Sequence, residues 1–154
     1  MALSTGDPSP AVSAQNQAGE TVSPDFAEPT VVYFYPRDGT PGCELEANQF
    51  QAELDAYRDA GMAVYGVSTD GVDSHKEFAD DNDLAFDLLA DPAGEVAASF
   101  DLEVSDDFVG RTTFVLADGE VKAVYDPADV NPDGHAREVL EESRDSGLVA
   151  FGER

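Results

Sequence analysis

Basic side chains are scarce in this chain of 154 residues, where 8 Lys and Arg stand against 33 Asp and Glu. The resulting formal net charge of -25 at pH 7 would repel nucleic acids and anionic membranes, so neither is an expected partner. Because molar salt shortens the Debye length to about 3 Å and screens self-repulsion, we expect a halophilic protein. Its melting temperature should fall when salt is removed, and a constant melting temperature would contradict this expectation.

Cysteine and histidine are nearly absent. Cys43 is the only cysteine, so no disulfide can form within the chain and a disulfide-rich secreted scaffold is excluded. With His75 and His135 as the only histidines, the chain has too few ligands for a zinc or haem site, and we predict neither metal nor cofactor. Both histidines are interpreted as solvated helix residues. Without a signal peptide or an apolar run of ~20 residues, a cytoplasmic location is expected.

Strand-like and helix-like segments alternate along the chain. Apolar runs predict buried strands, Asp118-Gly119 between two further runs predicts a β-hairpin, and 16–19 predicts the turn of an N-terminal hairpin. The predicted strands are 31–35, 62–67, 86–89, 112–116 and 120–125, and the predicted helices are 43–61, 73–82, 94–100 and 134–143. This order predicts an α/β fold of the thioredoxin-like type, with a mixed sheet flanked by helices. We expect a single domain over 1–154, with 1–4 and 146–154 as loose tails.

Cys43 occupies an unusual position in this pattern. It follows a buried strand and a loop that contains Gly39, Pro41 and Gly42, and it opens the next predicted helix. Unpaired N–H groups and the helix dipole at that end stabilise a thiolate, which is the reactive form of cysteine. A lone cysteine is most often a small buried core residue, but a core residue does not require such a loop. The pattern therefore indicates a reactive thiol.

The stretch 33–43, Tyr-Phe-Tyr-Pro-Arg-Asp-Gly-Thr-Pro-Gly-Cys, resembles the active-site segment of peroxiredoxins, and most closely that of the bacterioferritin-comigratory-protein group. The family pattern is Pro, three residues, Thr or Ser, two residues and Cys, which Pro36, Thr40 and Cys43 match. Arg111, at the start of a later predicted strand, resembles the family's arginine. The resemblance covers about residues 5 to 145 and implies a thiol-dependent peroxidase.

The resemblance also implies a role for each of these residues. The Cys43 thiolate would attack a hydroperoxide and become a sulfenic acid, while Thr40 holds the peroxide oxygen. Pro36 would shield the thiolate from water, and Arg111 would keep the sulfur ionised and polarise the O–O bond. Taken without the resemblance, Arg111 would be interpreted as a surface salt-bridge residue. Arg37 is a weaker alternative, which we expect at the rim of the site.

One departure from the family pattern concerns the recycling of the oxidised thiol. Many members of the group carry a resolving cysteine five residues after the first, where this chain has Asn48. The sulfenic acid must therefore be reduced by an external thiol, from thioredoxin or a small molecule, in a one-cysteine mechanism. We also expect easier overoxidation to sulfinic acid than in two-cysteine relatives.

Two other functions stay open at this point. One is a monothiol thioredoxin-like oxidoreductase, and the other is a redox-responsive binding or chaperone-like protein. Peroxide consumption that requires Cys43 and Arg111 would distinguish the peroxidase from both. The preferred peroxide, the reductant and the choice between monomer and homodimer stay open, as does whether Phe108 borders the active site or packs against another subunit.

Overall fold

A mixed β-sheet of seven strands forms the centre of the computed structural model, which describes residues 3–105 and 108–148. The strands, of which β6 and β7 lie outside this sheet, are β1 (Ala14–Gln15), β2 (Thr21–Val22), β3 (Thr30–Phe34), β4 (Ala63–Ser68), β5 (Asp87–Ala90), β6 (Val104–Ser105), β7 (Phe108–Val109), β8 (Thr112–Ala117) and β9 (Glu120–Tyr125). The helices are α1 (Pro41–Ala52), α2 (Leu54–Asp59), α3 (Val72–Asn82), α4 (Glu95–Ser99) and α5 (His135–Asp145). Within the described residues, no helix is long and apolar enough to span a membrane.

The order of the strands puts the most buried ones at the centre. The sheet runs β2-β1-β5-β4-β3-β8-β9, in which β3, β4 and β5 are parallel and β8 is antiparallel to β3. All five residues of β3 are buried, as its continuous apolar sequence predicts for a strand covered on both faces. A separate two-stranded ribbon pairs β6 with β7 and was not predicted.

The predicted elements are confirmed; most boundaries differ by one or two residues, and one predicted helix is divided in two. The helix after the Cys43 loop begins at Pro41, two residues earlier than predicted, because proline suits the first turn, where its missing N–H is not needed. That helix also ends at Ala52 and restarts at Leu54. The predicted hairpin turn has φ 56° at Asp118 and 74° at Gly119, the positive values that a two-residue turn of this kind requires.

Two hydrophobic clusters cover the two faces of the sheet, and β3 contributes to both because its side chains alternate. We call one the cysteine face; it contains Val31, Tyr33, Tyr35, Cys43, Phe50, Leu54, Tyr57, Phe78, Leu88, Val139 and Leu140, among others. We call the other the phenylalanine face; it contains Val32, Phe34, Phe26, Val67, Leu89, Phe100, Phe114 and Leu116, among others. The predicted functional thiol therefore lies on only one side of the sheet.

The predicted tails lie partly outside the described residues, which begin at Leu3 and end at Leu148. The Leu3 N–H donates to the carbonyl of Phe100 at 3.1 Å, and the Leu148 N–H donates to the carbonyl of Ser143 at 3.1 Å. The side chains of Leu3 and Leu148 pack against the phenylalanine face and the cysteine face, respectively. The described residues of both segments are thus attached to the sheet and its helices.

Candidate active site

The loop from β3 to α1 brings Cys43 to the start of a helix. Gly39 has φ +83°, a left-handed conformation that favours glycine, and Thr40 is the N-cap residue of α1. Cys43 is then the third helical residue, and its N–H belongs to the first turn, where no intrahelical acceptor is available. Its thiol is buried, with the residue 1% exposed. The sulfur therefore meets the positive end of a helix away from bulk water.

Strand pairing brings Arg111 to the same place. In the antiparallel register of β3 and β8, Phe34 lies opposite Thr112, so the residue before Thr112 is at the end of the sheet where the loop begins. The guanidinium Nη2 of Arg111 lies 3.2 Å from the sulfur of Cys43 and donates to it. Two residues separated by 68 positions are thus brought into contact by the register of one strand pair.

Glu46 completes this contact and was not predicted from the sequence. Its Oε1 accepts from Nη1 of Arg111 at 2.9 Å, so the guanidinium bridges the carboxylate and the sulfur. Residues three apart on a helix share a face, and the spacing of Glu46 from Cys43 is the signal that could have identified it. A glutamate in a strongly acidic sequence does not stand out, however, and only the tertiary structure distinguishes this one.

Burial controls the ionisation of Glu46. The residue is 1% exposed, and its Oε2 has no hydrogen-bond partner among residues 3–105 and 108–148. Burial raises the pKa of this carboxyl from 4.5 to about 7, although the charge and hydrogen bond of Arg111 act in the opposite direction. Arg111 therefore has a partner whose charge changes near neutral pH.

Gly42 lies against the guanidinium. A Cβ at this position would be 2.8 Å from Nη2 of Arg111, closer than real Cβ contacts allow. The arginine cannot retreat without losing its contacts with Cys43 and Glu46. The two glycines of this loop are thus needed for different reasons. Gly42 allows the close approach of the Arg111 guanidinium, whereas Gly39 allows a positive φ.

The other predicted site residues lie in the same loop. Pro36 and Thr40 are both partly buried, and the hydroxyl of Thr40 donates to the carbonyl of Arg37 at 3.3 Å. Arg37 is exposed, and its guanidinium carbon lies 4.7 Å from the ring centroid of Phe108. Phe108 therefore borders the active-site loop through Arg37.

The interpretation of both histidines as solvated helix residues is wrong. His75 is 0% exposed, and its Nε2 lies 3.0 Å from the carbonyl oxygen of Leu89. His135 is 1% exposed, and its Nε2 lies 2.9 Å from Oγ1 of Thr113. The sequence predicted the helices that carry the two histidines but not the side of each helix that is buried. Both histidines point inward, where each ring nitrogen Nε2 meets a buried oxygen atom.

Comparison with known proteins identifies the family. The AhpC/TSA family model matches residues 5–124. The chloroplastic peroxiredoxin Q of Sedum lineare is 35% identical over 143 residues, which cover 90% of this chain and 76% of that protein. The putative peroxiredoxin bcp of Coxiella burnetii is 33% identical over 150 residues, covering 91% of this chain and 98% of that protein.

A solved structure extends the similarity to the fold. The bacterioferritin comigratory protein of Xanthomonas campestris matches with a TM-score of 0.81 at 30% identity, covering 88% of this chain and 91% of that one. The thioredoxin-like fold is thus confirmed. The two alternatives, a monothiol thioredoxin-like oxidoreductase and a redox-responsive binding or chaperone-like protein, are not favoured. The chain belongs to the AhpC/TSA family and is a peroxiredoxin, a thiol-dependent peroxidase.

Proposed function

We propose that Cys43 is the peroxidatic residue and that the chain reduces hydrogen peroxide and organic hydroperoxides by a one-cysteine mechanism. The Cys43 thiolate attacks the terminal oxygen of the hydroperoxide, an S–O bond forms and the O–O bond breaks. The sulfur becomes a sulfenic acid, and the leaving alkoxide or hydroxide takes a proton and departs as alcohol or water. Two electrons pass from the sulfur to the peroxide.

The contact between Arg111 and Cys43 is the observation that carries this proposal. The guanidinium donor at 3.2 Å favours the thiolate over the thiol, and it stays fixed because Glu46 holds its other nitrogen. Negative charge grows on the departing oxygen during the reaction, and a fixed cation at this point stabilises that charge. Arg37 lies on Phe108 and takes no part in our mechanism.

Thr40 and Pro36 are proposed to act on the substrate side of the sulfur. Because Thr40 is the N-cap residue, its hydroxyl lies at the N-terminus of α1. There it can donate its hydrogen bond to the bound peroxide instead of to the carbonyl of Arg37. The N–H of Cys43 is proposed as the second donor to the bound oxygen. Pro36 has no N–H of its own, so it covers the sulfur without attracting water.

Recycling is proposed to need a thiol from outside the chain, either a thioredoxin or a small molecule. Asn48 occupies the position of the resolving cysteine; its amide nitrogen donates to Oδ1 of Asn82 at 3.1 Å. A thiol attacks the sulfenic acid and releases water, and a second thiol then frees Cys43 from the mixed disulfide. The Xanthomonas relative is described by its alkyl peroxide reduction activity, which supports organic hydroperoxides as substrates.

The cellular setting is also part of the proposal. The bacterial bcp relative supports a cytoplasmic location, and the excess of 33 acidic over 8 basic residues supports a salt-rich cytoplasm. A single domain and the absence of nucleic-acid and membrane partners stay predictions from the sequence.

Intact-mass analysis of the reduced protein after one equivalent of peroxide tests the one-cysteine mechanism. We expect one added oxygen atom on the wild type, trapped by a sulfenic-acid reagent, and none on Cys43→Ser. Addition of thioredoxin with its reductase, or of a small thiol, should return the original mass. A wild-type mass unchanged by peroxide would contradict the mechanism.

A further inference from the structure

A second buried polar cluster lies beside the active-site loop and is not used by the chemistry at Cys43. Asp38, in the middle of that loop, lies between Pro36 and Thr40. Its side chain is 5% exposed and lies 2.7 Å from Nδ1 of His75, which comes from α3. A buried hydrogen-bonded pair thus connects the loop to a helix on the same face of the sheet.

Asp38 forms hydrogen bonds with residues from several elements, through both its carboxylate and its backbone N–H. Its Oδ1 accepts from the hydroxyl of Tyr35 at 2.6 Å, and its Oδ2 accepts from the hydroxyl of Ser74 at 2.8 Å. Its N–H donates to Oδ2 of Asp70 at 2.8 Å. The loop has glycine and proline around this residue, so these contacts hold a backbone that its own sequence leaves free.

Hydrogen bonds hold the His75 ring at both of its nitrogens. The carbonyl oxygen of Leu89 can only accept, so Nε2 of His75 donates to it at 3.0 Å. Nδ1 of His75 lies 2.7 Å from Oδ2 of Asp38. His75 therefore links the active-site loop, through Asp38, to the backbone of β5.

The groups around His75 belong to the same network. Tyr35, which follows β3, remains a neutral donor to Asp38, because burial and the negative charge of Asp38 raise its pKa well above 10. Asp70, which follows β4, accepts from Ser68 at 2.7 Å and from the N–H of Asp38 at 2.8 Å. Residues on or next to β3, β4 and α3 thus all contact Asp38.

We propose that His75 is a positioning residue for peroxide reduction: bonded to Asp38 and to the carbonyl of Leu89, it holds the loop that carries Pro36 and Thr40 in its reactive conformation. This inference rests on the proposed function. A shift of about 1 Å in a reacting group can cost ~10²-fold in rate, so a loop anchored this way affects the reaction without touching peroxide.

The sharpest variant is Asp38→Asn, which keeps the size of the side chain but replaces one of its two accepting oxygens with an amide nitrogen that cannot accept. We expect the second-order rate of oxidation by hydrogen peroxide to fall at least ~tenfold near neutral pH. The control is Glu77→Gln, which removes an exposed carboxylate from the same helix and should leave the rate within ~twofold. Circular dichroism and melting in the same buffer establish that both variants are folded.

Alkylation of Cys43 separates positioning from mere structural support. Iodoacetamide needs neither Pro36 nor Thr40, so its rate with Cys43 should differ by less than ~twofold between the wild type and Asp38→Asn while the peroxide rate falls. Nitrogen NMR of the imidazole ring, assigned through contacts with Tyr35, should show a hydrogen on Nε2 that exchanges slowly, because the Leu89 carbonyl accepts it.

Each outcome decides the inference. A peroxide rate of Asp38→Asn within ~twofold of the wild-type rate, or an equal loss in its alkylation rate, would overturn it. If Asp38→Asn does not fold, slow exchange of the Nε2 hydrogen of His75 and of the Asp38 amide in the wild type decides the anchor. A wild type that does not react with peroxide would overturn the proposed function instead, while these two measurements would still report on the anchor.

Discussion

The two faces of the central sheet are filled with different aromatic residues, although β3 supplies side chains to both. Tyr33, Tyr35 and Tyr57, the fully buried tyrosines of the described chain, lie on the cysteine face. The phenylalanine face is packed by Phe26, Phe34, Phe100 and Phe114. The cysteine face thus buries three tyrosine hydroxyls among its aromatic residues, whereas the four phenylalanine rings of the other face carry no polar group.

The difference shows how the fold separates stability from chemistry. On the phenylalanine face, edge-to-face ring contacts stabilise the packing without a hydrogen bond. The rings of Phe34 and Phe100, with centroids 5.2 Å apart, form one such contact. On the cysteine face, Tyr35 bonds to Asp38 and Tyr57 to the carbonyl of Ala136, both at 2.6 Å. Polar networks specify one arrangement because each unpaired member would cost free energy, which suits a site that must hold a thiolate in place.

The largest expected effect is on stability and comes from the phenylalanine face. Phe100 is fully buried and contacts the rings of Phe26, Phe34 and Phe114. Phe100→Ala should lower the free energy of unfolding by about 3–5 kcal/mol, measured by urea denaturation in high salt. The peroxide rate of the folded fraction should be unchanged. A rate loss as large as that of an active-site variant would break the division between the faces.

Arg111→Met, on the cysteine face, should lower the rate of peroxide reduction rather than the stability of the fold. Removal of the guanidinium should slow oxidation of Cys43 by about 10²- to 10³-fold, since a fixed donor to developing charge is lost. Stopped-flow measurement with excess hydrogen peroxide gives the rate. Arg137→Met is the matched control, because this arginine is 65% exposed and pairs with Glu53. An equal loss in both variants would mean that general charge, rather than the Cys43 contact, matters.

Glu46→Gln sharpens the comparison through pH. In the folded protein burial raises the pKa of Glu46 to about 7, while the unfolded chain releases this proton near 4.5. The folded state therefore binds more protons between these values, so wild-type stability should fall relative to Glu46→Gln as pH rises from about 4.5 to about 7, by on the order of 3 kcal/mol.

Unfolding free energies of both proteins across this pH range test the Glu46 prediction. The control is Glu44→Gln, which changes an exposed carboxylate on the same helix and should follow the wild-type slope. Parallel curves for the wild type and Glu46→Gln would show that Glu46 ionises in the folded protein as it does in the unfolded chain.

The smallest effect concerns an unpaired hydroxyl on the cysteine face. Tyr33 is 0% exposed, and its hydroxyl has no hydrogen-bond partner within the described residues. Tyr33→Phe should therefore raise the free energy of unfolding by about 1 kcal/mol, whereas Tyr57→Phe, which loses a real bond to Ala136, should lower it. A destabilised Tyr33→Phe would show that this hydroxyl has a partner.

Local patterns in the sequence predicted most of the fold, since buried strands, the Asp118-Gly119 turn and helical spacing depend on neighbouring residues. The loop motif also led to Pro36, Thr40 and Cys43, which are close in sequence. Glu46 and His75 could not be found in this way. Whether one glutamate among many acidic residues is buried against Arg111, or a helix histidine faces Asp38, depends on tertiary packing between elements.

Stopped-flow oxidation of the reduced wild type and Cys43→Ser by hydrogen peroxide in high-salt buffer tests the central claim most directly. The account predicts a second-order rate far above that of free cysteine in the wild type and no reaction in Cys43→Ser. A wild-type rate no faster than that of free cysteine, or an equal rate in the variant, would contradict it.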